Sequence, residues 1–393
     1  MPSGLVAQLV EQSPEKACVA GSIPAQTTIE MKNISIIKPI KKFFHKIKKN
    51  ILVYLFIYIY GRIYFNSNLN KNNKFYEKKI NIDHLKYSVF VILNGRLYTD
   101  MITNVAYIIN NQLIEGPSIQ LKDFIQASIS NNIVLKFGTP RILKKINGKV
   151  LSTLIGGSGN NYWHWLFEVL PRIFIYEKFY SINELDKILV PSLEENFQTQ
   201  TLSLLGINIK NVIDSNFYKH IKTKELYATN NSIVFDIEKV PFWIISELRN
   251  RFLKKIRKNH KFDKIYIDRS DSKGNKFFRR IINEKEIINF LVNKNFKIIK
   301  LSEFSFLDQI SIFNNAKYIV GLHGAGFANV VFCKKNTNIL EIKPKNAGDV
   351  IKNLSLDSDL VYKNINLTPL DKPVGRQFGS LYLPVSKLEH YVK

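Results

Sequence analysis

In the first half of the chain the apolar positions alternate in short runs, as at 87–93 and 97–107, with Asn/Gly turns between them. A period of two with that punctuation predicts strands of a mixed sheet over 86–135. The pattern then lengthens. Residues 162–180 carry large apolar side chains on more than one face at helical spacing, which predicts a helix covered on several sides. A short apolar run at 187–190, stopped by Pro191, reads as a buried strand, and 195–205 reads as a helix ended by Gly206. From Pro241 the order becomes regular: helix 241–259 with a basic face, strand 264–269, helix 283–293, strand 297–301, helix 306–315, strand 318–322, helix 324–332 and strand 338–342. Asn283 with Glu286, and Ser305 with Asp308, have capping-box spacing at two of the helix starts. Such alternation predicts a parallel sheet with Rossmann-like winding, in which ligands bind beyond the carboxyl ends of the strands.

Composition fits this picture: 393 residues, 45% hydrophobic and 12% aromatic, suffice for two domains with real cores. Cys18 and Cys333 lie far apart without Cys-x-x-Cys spacing, which excludes a disulfide framework and a Cys-based zinc site and fits a reducing compartment. A formal charge of +25 would attract nucleic acid, an anionic membrane or a phosphorylated substrate. Seven of the lysines, Lys32, Lys38, Lys41, Lys42, Lys46, Lys48 and Lys49, precede ten apolar or aromatic residues at 51–60. That run is too short to cross roughly 30 Å of hydrocarbon as a helix. Two readings fit it, a peripheral anchor on anionic lipid or a solvated arm beside a buried element. Elsewhere lysine accompanies Ile and Asn, as an AT-rich genome would impose, and no nucleic-acid-binding motif is present, so no specific nucleic-acid partner is expected. Residues 4–28 resemble a transfer-RNA gene translated as coding sequence, so 1–30 are expected to be a spurious leader before Met31.

Candidate chemistry gathers at the predicted strand ends. Arg269 ends one strand, and Lys273, Lys276, Arg279 and Arg280 follow. Guanidinium forks match phosphate oxygens, and two or three around one crevice could hold a diphosphate; a solvated basic loop is the other reading. Strand 318–322 ends in His323-Gly324-Ala325-Gly326-Phe327-Ala328-Asn329. Small residues there let the backbone approach a ligand, and the helix start that follows would face an anion, whereas His323 would also suit a cap or a core. Glu341 could accept both hydroxyls of a ribose or simply face solvent. Upstream, a turn at Gly156-Gly157-Ser158-Gly159 leads into a helix on which His164 and Glu168 stand four apart and share a face. Imidazole beside carboxylate suits a general base and equally suits a structural pair, and Trp163 and Trp165 suit either sugar stacking or core packing. The glycine turn matches neither the hydrolase elbow nor a P-loop. Asp357-Ser358-Asp359 has Asp-x-Asp spacing but lies beyond the phosphate-loop region, where chance explains it.

Together, Asn161-Tyr162-Trp163-His164-Trp165-Leu166 with Glu168 and Leu170-Pro171-Arg172, Asp268-Arg269, Arg279-Arg280-Ile281-Ile282-Asn283-Glu284, Leu307-Asp308-Gln309-Ile310, and the stretch from His323 to Asn329 with Phe332 and Glu341 resemble glycosyltransferase family 61. That is a family of capsular-polysaccharide, O-GlcNAc and xylosyl transferases. The resemblance spans about 156–342, and Phe327 stands where the family often has Leu. It implies an α/β, GT-B-like fold of two Rossmann-type domains facing a cleft, and inverting sugar transfer from a nucleotide sugar, UDP-linked, with no metal and no cofactor. His164 would be the base, oriented by Glu168. Arg269, Arg279, Arg280, His323, Gly324, Ala325, Gly326, Asn329 and Glu341 would bind the donor; Asn161, Trp163, Trp165 and Arg172 would serve the acceptor or the structure. The expected division is a membrane-proximal arm at 31–65, an acceptor-side domain at 66–240, a nucleotide-sugar domain at 241–345 and an extension at 346–393 packing back on both. The implied partners are the donor, a glycan or lipid-linked glycan acceptor and an anionic membrane, in the cytoplasm or on the inner face of the plasma membrane. The rivals are a non-catalytic basic protein binding membrane or nucleic acid, and a pyruvyl or phosphoglycosyl transferase on a similar frame.

Overall fold

The computed structural model describes residues 50–66, 74–101, 103–122, 125–155, 159–230, 239–270, 279–371 and 378–392. The expected leader, the lysine run 32–49, Gly156-Gly157-Ser158 and Lys273 and Lys276 lie outside the described residues. Residues 50–60 form a helix. It rests on the body through Val53 and Phe56 and turns Ile51, Tyr54, Leu55, Tyr58 and Ile59 outward.

The fold is mixed α/β. In the first, twelve-stranded sheet, the run expected at 97–107 divides into Arg96–Thr99 and Asn104–Ile109, which pair antiparallel. A block of four strands in this sheet is parallel, in the order Val212–Asp214, Lys187–Val190, Lys144–Ser152, His220–Thr229. Helical connections at Tyr162–Glu177 and Asn196–Leu204 join its first three strands in sequence. The second sheet has five parallel strands in the order Lys297–Lys300, Lys264–Asp268, Tyr318–Leu322, Asn338–Pro344, Val361–Leu367. Both faces of this sheet are covered, which is why its inner strands read as largely apolar runs.

The helical stretch from Tyr162 is buried almost all round because it lies between the sheets. Trp165, Leu166, Phe167, Val169, Leu170, Ile173, Phe174 and Ile175 share one core with Val89 and Leu151 of the first sheet and Ile265 and Ile319 of the second. Within it, Trp165–Val169 widens to a π-helical turn, with the Leu170 N–H reaching back to the Trp165 carbonyl. Pro171 has no N–H to give and crowds the carbonyl four residues earlier, and the wider turn accommodates it.

Several elements differ from the sequence pattern. The basic helix from 241 stops at Phe252 and tightens to a 3₁₀ turn at Leu253–Lys255. Ala325–Phe332 winds as a 3₁₀ helix, stacking buried Phe327 near Val330 and Asn329 near Phe332. The strand expected at 338–342 runs to Pro344, so Glu341 is mid-strand. Helix Val350–Asp357 and the fifth strand, Val361–Leu367, carry the second sheet into the segment expected as an extension. Ser305 caps its helix through the Asp308 N–H at 3.2 Å. Asn283 caps nothing with its side chain, which instead bonds the Leu383 carbonyl and N–H at 2.8 and 3.1 Å.

Candidate active site

The second sheet is entered at Lys264–Asp268, steps to one side to Lys297–Lys300, then crosses to the other at Tyr318–Leu322. The switch point therefore lies between the carboxyl ends of Lys264–Asp268 and Tyr318–Leu322, where a doubly wound sheet opens a ligand crevice. Arg269 and His323 are the residues immediately beyond those two ends.

Two guanidiniums converge there. Nη1 of Arg269 and Nη1 of Arg279 both donate to the His323 carbonyl. A side chain at Gly324 would push the Arg269 guanidinium away from the His323 carbonyl, so this glycine lets the guanidinium lie close to the backbone. Burial, and then the Arg269 charge, push the Arg279 pKa down to about 9, against a smaller opposing pull from Glu341. Like charges gathered in a half-buried crevice favour an anion between them. Arg280 is not part of this gathering: it is the next residue on strand Arg279–Ile281, so it points the other way and is exposed.

Behind the crevice, His323 Nδ1 bonds Glu341 Oε1, and Glu341 Oε2 accepts the Tyr362 hydroxyl. Glu341 is 0% exposed. Its oxygens face His323 and Tyr362, which orients it toward the imidazole rather than toward solvent and a ribose. Tyr362 lies outside the sequence motifs, on the fifth strand, whose mixed polar and apolar residues give no strand signal.

On the first sheet, the helix carrying His164 starts just after the carboxyl end of Lys144–Ser152, beside that sheet's own switch point against His220–Thr229. His164 Nδ1 bonds Glu168 Oε1. Burial disfavours the imidazolium, but the charge and hydrogen bond of Glu168 outweigh it and raise the His164 pKa above its ordinary value. With Nδ1–H directed at the carboxylate, Nε2 carries the lone pair on a side chain 34% exposed. One turn further, Arg172 is buried, bonds the Thr229 carbonyl and hydroxyl at 2.8 and 3.0 Å, and interacts electrostatically with Glu168. It thus ties the helix to the sheet and backs the carboxylate.

The remaining residues are structural in their contacts. Asn161 caps the helix through the Trp163 N–H at 2.9 Å. Trp165 is fully buried and donates Nε1–H to Thr201 at 2.9 Å, so it is core. Trp163 is half-buried against Phe167. Ala325 and Gly326 open the 3₁₀ helix, and Asn329 within it is buried, donating to Gln309 at 3.1 Å and accepting the Tyr162 hydroxyl at 2.7 Å. That last bond joins the segment beginning His164's helix to the segment following His323. Asp359 pairs with Lys335 at 2.8 Å at the amino ends of the strands, away from the crevice. Among the described residues no group of three or more His, Cys, Asp or Glu could hold a metal ion.

Doubly wound parallel strands with an arginine pair at the switch point define a candidate phosphate-ligand site on an α/β frame. Residues 162–340 match the family model described as Glycosyltransferase 61. A 121-residue stretch is 28% identical to the EGF domain-specific O-linked N-acetylglucosamine transferase of Bos taurus, covering 27% of this chain and 23% of that protein. The match thus spans about a quarter of the length of that relative.

Proposed function

We propose that the protein transfers a sugar from a nucleotide-sugar donor to a hydroxyl of a glycan or lipid-linked glycan, inverting the anomeric carbon without an obligatory metal, in capsule or surface polysaccharide synthesis. The observation that carries this reading is the pair Arg269 and Arg279 at the switch point of the five-stranded sheet, inside the family 61 stretch. A guanidinium carries five N–H donors in a planar fork that matches the oxygens of a diphosphate. A GT-B-like pairing of two Rossmann-type halves, 66–240 and 241–345, is supported by the parallel strands in each sheet.

In this mechanism His164 Nε2 takes the acceptor proton as the acceptor oxygen bonds the anomeric carbon from the face opposite the diphosphate. The bond from that carbon to the phosphate oxygen breaks, and its electrons leave with the nucleoside diphosphate, whose charge the arginines stabilise. Glu168 keeps Nδ1 protonated and stabilises the imidazolium.

A peripheral seat on an anionic membrane, on the cytoplasmic side, is supported by the outward Ile51, Tyr54, Leu55, Tyr58 and Ile59 and by the seven lysines preceding them in sequence. No described helix is long and apolar enough to cross a membrane.

Thermal-shift screening of nucleotide sugars with and without EDTA tests the activity, with UDP-N-acetylglucosamine first because the bovine relative is an N-acetylglucosamine transferase. A donor-specific rise that survives EDTA, with transfer of labelled sugar, is expected. A response to every polyanion alike that collapses with salt would instead make this a basic binding protein.

A further inference from the structure

A second basic cluster lies beneath the carboxyl end of the helix at 50–60, on the first sheet and apart from the donor-side arginines. Arg96 and Arg141 are more than nine-tenths buried, and His220 is 1% exposed. The register puts Tyr98 opposite His220 and Arg96 opposite Lys222, so these four share one face of the sheet. The rings of Tyr60 and Tyr98 stand edge-on to His220 at 5.1 and 5.7 Å. Arg96 Nη1 donates to the Tyr60 carbonyl at 3.2 Å, and the Arg141 guanidinium lies against the Tyr98 hydroxyl.

Much of the hydrogen-bonding capacity here is unused. Arg96 Nη2, Arg141 Nε and Nη2, and His220 Nε2 are buried without a partner. The side chain that acts electrostatically on Arg96 is the Tyr60 phenol and not a carboxylate. Asp100, which acts on Tyr98, is turned into its own loop, accepting the Thr103 N–H at 2.8 Å, its hydroxyl at 2.6 Å and the Asn104 N–H at 2.7 Å. His220 Nδ1–H donates to the Arg141 carbonyl at 2.9 Å, which leaves the lone pair on Nε2. Burial first, and the two arginines with it, push the His220 pKa down to about 4, so the ring is neutral. Two buried cations acting on one imidazole, with buried polar atoms left unpartnered around it, are costly unless an anion completes them.

We propose that Arg96, Arg141 and His220 form a binding site for one phosphate-type monoanion, entered past the Tyr60 end of the helix. Nε and Nη2 of Arg141 are one edge of its fork and take two oxygens, Arg96 Nη2 takes an oxygen, and the remaining P–OH donates to His220 Nε2. The apolar outer face of the helix makes the phosphate of an anionic lipid one source, and a soluble phosphate group is the other. The site stands whether or not the donor-site reading does, because its test reads binding alone.

The full-length protein is titrated with inorganic phosphate by thermal shift, alongside Arg141→Met and His220→Gln. Wild type is expected to show a saturable rise in Tm. Arg141→Met should be at least as stable as wild type in phosphate-free buffer, since it removes a buried charge, and should bind phosphate about tenfold more weakly or worse. The His220 ring, assigned by loss of its NMR signal in His220→Gln, should titrate at higher pH with phosphate present; this measurement on wild type decides the matter if Arg141→Met does not fold. Sedimentation with phosphatidylcholine vesicles, plain or containing phosphatidic acid, separates the sources: phosphatidic-acid binding weakened by Arg141→Met and competed by phosphate marks the lipid, and a phosphate response without it marks the soluble group. No saturable response and an unmoved His220 titration, or an Arg141→Met protein responding like wild type, overturns the proposal.

Discussion

At His164 two opposing effects meet, burial against the imidazolium and Glu168 for it, and Glu168 wins. A base must be deprotonated to act, so kcat/KM is expected to fall as pH drops through a pKa above the ordinary histidine value of about 6.5. Glu168→Gln leaves burial unopposed: the acid limb should move to lower pH while the maximal rate falls, and a pH–rate profile with an unmoved limb would remove His164 from the role of base. The stability consequence has its own sign. A raised folded-state pKa contributes stability that is complete below the unfolded value and is lost as pH rises through the folded one, so the Tm deficit of Glu168→Gln should shrink toward alkaline pH. A second expectation concerns Arg279, whose charge is disfavoured by burial and by Arg269. Arg279→Met should raise the donor KM about tenfold or more without lowering the apoprotein Tm, and unchanged donor affinity would take it out of the diphosphate site. At this scale the sequence names residue types but not directions. Arg279 and Arg280 are equivalent as letters, and only strand alternation sends one to the crevice and the other to solvent. Trp163 and Trp165 divide likewise between half-buried and core.

Among the elements, the most legible in the sequence are the strands of the second sheet, because burial on both faces leaves largely apolar runs. Val361–Leu367 is the exception, an edge strand with alternating burial whose Lys363 and Asn366 break the apolar signal. The π-helical turn at Trp165–Val169 and the 3₁₀ winding of Ala325–Phe332 are illegible for another reason: local propensity favours an ordinary helix, and tertiary packing overrides it. The turn Tyr162–His164 that leads into the first of these segments is joined to the second by the Tyr162 hydroxyl on Asn329 Oδ1. Removing that donor by Tyr162→Phe leaves a buried acceptor, at a cost of about 1–3 kcal/mol. Urea denaturation should show that loss together with reduced turnover. A full loss of stability with normal turnover would mean that the bond holds the fold but does not set the two halves of the site against each other.

For the whole molecule, the question is whether the two sheets behave as separate units. Expected domain limits at 66–240 and 241–345 would allow independent unfolding, yet the largest apolar core takes side chains from both sheets and from the helical stretch between them. Polar bonds cross the same boundary: Gln200 Oε1 accepts the Phe306 N–H at 2.6 Å, and Tyr162 meets Asn329. Phe252, Phe306 and Phe332 pack edge to face within 6.5 Å of one another beside these bonds. An apolar core shared by two sheets cannot be exposed for one without exposing it for the other, and that coupling produces cooperativity. Calorimetry is therefore expected to give a single transition, with a calorimetric enthalpy equal to the van't Hoff enthalpy, and a nucleotide-sugar donor should move that whole transition upward. Two resolved transitions, only one of them moved by the donor, would show that the shared core is not what couples the donor side to the His164 side.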